Sequence, residues 1–90
     1  MTESGFQAAR QTALDHREGE QLRCAAILDL AALKTRDAAD ALIELGSRPD
    51  EPGPVLRAVG AALAGLLIDG LVSEWDIRDL SAPAADAFFE

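Results

Sequence analysis

"LRCAAILDLAALKTRDAADALIELG", residues 22–46, reads as two helices with a short break between them. From Cys24 to Leu33 the only polar residue is Asp29, so a helix over about Glu20 to Leu33 is apolar nearly all round. Such a helix belongs at the centre of a domain. Thr35 then offers a hydroxyl N-cap, and Asp37 places negative charge in the first turn of a second helix that runs through Leu45. On that helix Ala38, Leu42 and Leu45 share one side, and Asp37, Asp40 and Glu44 share another. Gly46 is read as its stop. The expected fold class is therefore all-α, built from antiparallel helical hairpins.

The pattern extends in both directions from this hairpin. Upstream, Phe6, Ala9, Ala13 and Leu14 form a thin apolar stripe that predicts a first helix over about Phe6 to Arg17, with Gly19 ending it. Downstream, "SRPDEPGP" (residues 47–54) holds three prolines and a glycine, the clearest punctuation in the chain. Pro54 suits the first position of a fourth helix, whose core face is Val55, Val59, Leu63, Leu66 and Leu67. Gly60 and Gly65 inside it each cost about 1 kcal/mol against Ala, so a neighbouring backbone is expected to pack close against both. Ser73 is read as the cap of a short fifth helix, and Ser81 with Pro83 as the start of a last turn or two. No alternating run suggests a strand. Four to five short helices in one domain over residues 1–90 is the expectation.

Composition limits the chemistry. Hydrophobic residues make up 49% and aromatics 4%, so the core must be built from Leu, Ile, Val and Ala, with helices in close approach. The net charge is −8, which argues against nucleic-acid or anionic-membrane binding and suits a basic protein partner. Cys24 is the only cysteine, which leaves no intrachain disulfide and favours a buried structural thiol among apolar neighbours. The first ten residues lack the pattern of a signal peptide, and residues 55–72 are broken by Arg57, Asp69 and glycines. A cytoplasmic chain with no membrane contact is expected.

No catalytic motif appears, and no enzyme activity or cofactor is expected. His16 stands alone in a polar stretch and reads as solvated surface. "GAALAG", residues 60–65, lacks the Lys and Ser/Thr of a phosphate-binding loop and falls within a helical pattern. Asp69, Glu74, Asp76 and Asp79 lack the ligand spacing of a calcium loop, so no metal site is expected.

Two resemblances add to this reading. "LRCAAILDLAAL" from Leu22 aligns with "LRAVGAALAGLL" from Leu56 at a spacing of 34 residues, a period found in stacked helical repeats. Pro54, Arg57, small residues and then spaced leucines resemble the first helix of a HEAT-type repeat, with "RDAADALIELG" as the second helix of the preceding one. A generic helical bundle is the alternative. The closing "WDIRDLSAPAADAFF" (residues 75–89) resembles the tail of small acidic helical immunity proteins from bacterial polymorphic and contact-dependent toxin systems. That resemblance implies a protein that binds and neutralises a cognate toxin, presenting an acidic surface to a basic one. A helical scaffold or adaptor with no inhibitory role is the other reading.

The candidate contact residues are Asp69, Glu74, Trp75, Asp76 and Asp79, with Asp37, Asp40 and Glu44 as a second acidic stripe. Trp75 lies about 200° around a helix from Ile77, off the face that Ile77 shares with Leu80. It either folds over the end of the fourth helix and closes the core, or stands exposed as an interface anchor among acids. Phe88 and Phe89 are expected to pin the last turn to the core.

Overall fold

The fold is described by a computed structural model over residues 3–89. It is all-helical, with α1 (Glu3–Leu14), α2 (Glu20–Leu33), α3 (Arg36–Gly46), α4 (Gly53–Ile68) and α5 (Ala82–Phe88), and no strand among the described residues. The α2–α3 break forms as the sequence predicts. Lys34 takes a left-handed φ of 52°, and the Thr35 hydroxyl accepts the Ala38 N–H at 3.1 Å, filling one of the unpaired donors of a helix start.

α2 and α4 lie side by side and run the same way. At their N-terminal ends Cys24 Sγ meets the Pro54 carbonyl at 3.9 Å, and beyond their C-terminal ends Lys34 pairs with Asp69 at 3.7 Å. α3 packs on both, α1 on α2, and α5 lies across α4. The core between them is aliphatic, with Ile27, Leu30, Leu42, Leu45, Val55, Val59, Leu63 and Leu66 buried. Four expectations need correcting. α2 is not alone at the centre and is not buried all round: α2 and α4 each pack on three other helices, and α2 leaves Leu22 and Leu28 exposed. Cys24 is half-buried rather than buried. Pro54 occupies the second helical position, after Gly53. The first helix ends at Leu14, not Arg17, because side chains from elsewhere take its last carbonyls.

Those side chains belong to a buried ionic network. Arg23, 2% exposed, donates through Nε to the Ala13 carbonyl at 3.0 Å and through its terminal nitrogen to Glu51 Oε2. Arg48 donates to the Leu14 carbonyl at 3.4 Å and lies 3.6 Å from the same Glu51 oxygen. His16 Nδ1 sits 3.1 Å from Glu51 Oε1 without the alignment of a hydrogen bond, which leaves that buried oxygen unsatisfied. One acid in the proline-rich linker thus joins α1, α2 and the start of α4.

Glycines decide how closely α5 docks. A Cβ on Gly60 would stand 2.0 Å from the Ala84 carbonyl oxygen, so the backbone approach expected at this position is present. Gly65 shows no such approach, since an added Cβ there meets nothing within 4 Å. Gly46 is not a left-handed stop. It is the last residue of α3, and a Cβ there would meet Leu80 at 2.7 Å and Val59 at 2.9 Å. Its carbonyl accepts the Ser81 N–H at 2.8 Å.

Two measurements check this description. Arg23→Met leaves the buried Glu51 carboxylate with Arg48, at 3.6 Å, as its one remaining arginine and should lower unfolding stability by up to about 3–5 kcal/mol, with most of the loss recovered when Glu51→Leu is added. Equal losses in the single and double variants would mean that the pair does not act as a unit. Gly60→Ala should cost about 1–3 kcal/mol in urea titration, because the obstacle is backbone and α5 must move.

Candidate functional site

The chain leaves α4 through a left-handed turn. Gly70 has φ +80°, the Leu71 N–H reaches back to the Leu66 carbonyl at 2.9 Å, and the Gly70 N–H reaches that of Leu67 at 3.0 Å. This is the Schellman arrangement, and the left-handed residue is one that glycine adopts without a Cβ penalty. The helix expected after Ser73 does not form. Residues 74–79 run as successive turns, with N–H groups reaching back three residues from Asp76 to Ser73 and from Ile77 to Glu74.

Arg36 ties these turns to α3. It donates to both carboxylate oxygens of Asp76, at 2.9 and 3.0 Å, and to the Leu71 carbonyl at 2.9 Å. Its Nε lies 2.9 Å from Asp40. Asp76 in turn accepts the Ser73 N–H at 2.9 Å and the Ser73 hydroxyl at 3.2 Å. Ser73 was expected to cap by accepting; it donates instead, because the Asp76 carboxylate fixed by Arg36 is the stronger acceptor. The Arg36 guanidinium, with the Ser73 N–H behind it, holds the Asp76 carboxyl far below the usual carboxylate range, and Asp76 raises Arg36 in return. Val72 and Ile77 are buried beneath the segment.

With its backbone fixed in this way, Trp75 points outward and is 72% exposed. Of the two placements open from sequence, the exposed one holds. The Arg78 guanidinium lies 4.2 Å from the ring centroid and donates to the Trp75 carbonyl at 2.8 Å. That pairing holds the indole against its own turn while leaving its other face free. Phe89 is likewise 72% exposed, and only Phe88, which meets it edge-on at 4.9 Å between centroids, packs into the core.

The two acidic sets picked out in the sequence become one surface here, because Arg36 touches Asp40 on α3 and Asp76 in the turns. Within it the acids differ in freedom. Asp69 pairs with Lys34, Asp40 with Arg36, Glu44 with Arg10 at 3.3 Å, and Asp79 with Arg78 at 3.8 Å. Asp76 is half-buried and held by the fold. Asp37 and Glu74 are exposed and carry no ion pair among the described residues. Asp37, Asp40 and Glu44 also line an open groove between α1 and α3 with Phe6, Arg10 and Ala41. Sequence reasoning missed Arg36 and Arg78. Arg36 carried a signal, since a cation in the first turn opposes the helix dipole and calls for acceptors elsewhere.

Among the described residues no group of three or more His, Cys, Asp or Glu could hold a metal, and no helix is long and apolar enough to cross a membrane. No protein-family model, curated protein or solved structure matches the chain.

The Asp76 link has a definite pH signature. Because its folded-state pKa is depressed, the stability it contributes is complete above the unfolded value of about 3.9 and is lost as pH falls toward the folded one. Asp76→Asn should therefore be less stable than wild type at neutral pH, and the difference should shrink steadily in urea titrations taken below about pH 4. A difference that stays constant into strong acid would show that Arg36 is not what Asp76 serves.

Proposed function

We propose that this chain is an immunity protein that binds and neutralises a cognate bacterial toxin through the surface made by the α3 acidic stripe and the turns around Trp75. The observation that carries the reading is Trp75 itself. A large indole stands 72% exposed on a segment whose backbone is held by Arg36, Asp76 and the buried Val72 and Ile77. A tryptophan placed beforehand buries much apolar area while little further entropy is lost on docking, which is the physical profile of an interface hot spot.

The surrounding charge supports a basic partner. Seven carboxylates on this surface (Asp37, Asp40, Glu44, Asp69, Glu74, Asp76 and Asp79) face five bases (Arg10, Lys34, Arg36, Arg48 and Arg78), so the net field there is negative. Asp37 and Glu74 need not give up an internal partner to meet a Lys or Arg of a toxin, and they are the acids expected to set the encounter rate. Such a surface works by occlusion: it covers a basic active-site cleft and needs no catalytic group of its own. The same-direction packing of α2 and α4 supports the HEAT-like reading of the 34-residue spacing. Against it, the paired positions Arg23 and Arg57 differ, one buried and the other exposed.

The test is co-expression with the product of the adjacent toxin gene. Wild type should restore growth. Trp75→Ala should lose at least about 2 kcal/mol of binding, and Asp37→Lys with Glu74→Lys should slow association more at low salt than at high, with helicity unchanged. A neighbouring gene that encodes no toxin, or binding that leaves toxicity intact, would overturn the inhibitory role; the second result would make the domain an adaptor.

A further inference from the structure

The outward side of α4 carries Arg57, Ala61, Gly65 and Ile68 along one line, all exposed. Three features of this line are unexplained within a single chain. Ile68 is 86% exposed, more than any other large apolar side chain described. Gly65 lies inside the helix at a cost of about 1 kcal/mol against Ala, yet no atom of its own chain occupies the space that a Cβ would take. Gly60 shows the contrast, since the Ala84 backbone requires that glycine. Arg57, finally, is the one Lys or Arg with no carboxylate partner among the described residues.

We propose that this face is a self-association surface, on which α4 of one copy packs antiparallel against α4 of a second about a two-fold axis near Ala61 and Gly65. Charge fixes both the occupant and the direction. Residues 58–68 contain no charged side chain, so in a chain of net charge −8 this stretch lets two copies meet without opposing carboxylates. Arg57 stands at one end of the line and Asp69 just past the other, roughly 18 Å away at 1.5 Å per residue. An antiparallel pair crossing midway brings each Arg57 level with the other copy's Asp69, whose present partner is the exposed Lys34 at 3.7 Å and which would take Arg57 as a second cation, whereas a parallel pair would set like charges together. The midpoint falls between Ala61 and Gly65, where small side chains let two helix axes come close. Leu28, 65% exposed and one turn beyond Cys24 on the flank of α2 next to α4, widens the apolar area that the partner covers. The contact is isologous and closes at two copies. It does not depend on the toxin-binding reading.

Sedimentation equilibrium on the full chain over a range from about 1 to 500 µM, bracketing a micromolar dissociation constant, tests this. The weight-average mass should rise from 9.5 kDa toward twice that value. Ala61→Glu, at an exposed site, should keep its helicity and remain monomeric. Gly65→Ala is the sharper variant: its melting temperature at low concentration should rise, because the helix gains, while dimerisation weakens at least about tenfold from the added methyl at the crossing. Arg57→Glu should weaken association as well. A wild-type chain that stays monomeric throughout, or association that survives both Ala61→Glu and Gly65→Ala unchanged, would overturn the proposal.

Discussion

The structure depends most on the contact between Arg23 and Glu51. Both are charged and both are buried, and each makes sense only in the presence of the other. Arg23 sits among apolar residues on α2, where an unpaired guanidinium would be strongly unfavourable. Glu51 sits in a linker of prolines and glycine that has little apolar surface to order it. Their pairing brings that linker down onto α2, sets where α4 begins, and ends α1 by drawing the Ala13 carbonyl to the guanidinium. Arg48 repeats the arrangement on Leu14. A purely aliphatic core of this composition has many near-equivalent ways to pack. The ionic network favours the packing that brings Arg23 and Arg48 onto Glu51.

Small side chains complete what the network begins. With aromatics at 4%, the interior cannot be filled by large rings, so the helices must come close. Gly46 and Gly60 provide the space into which Leu80 and the Ala84 backbone fit, and the Ser81 N–H on the Gly46 carbonyl joins the start of α5 to the end of α3. These positions act through packing rather than backbone freedom. Among the described residues, only Gly70 is a glycine with a left-handed conformation.

The functional surface follows the same logic of one cation organising several carbonyl and carboxylate oxygens. Arg36 draws the chain after α4 back onto the start of α3 and takes Asp76 out of the set of free acids. The residue that looked like one more contact carboxylate is what places Trp75 outward. Surface acids of similar sequence context thus fall into different roles: Asp76 shapes the turn, Asp40, Glu44, Asp69 and Asp79 lie in exposed pairs of small energetic weight, and Asp37 and Glu74 remain open to a partner.

The sequence by itself determined the helices whose signals are local. Thr35 as a cap, the two faces of α3, the break at residues 47–54 and the core positions Val55, Val59, Leu63 and Leu66 of α4 all depend on spacing within a few turns, and all are present. The acidic residues of the surface were legible for the same reason, as a count and a periodicity. Tertiary structure alone decided the rest. No local rule says that Arg23 is buried and Arg57 exposed, although each follows a leucine and precedes another ten residues on (Leu33 and Leu67), because burial follows from a carboxylate 28 residues away. Ser73 carries a valid cap signal, but turns stand where the helix was expected, and they are tied to α3 by an ion pair between Asp76 and Arg36, 40 residues away. The exposure of Trp75 followed from that long-range ion pair and could not be read from its neighbours.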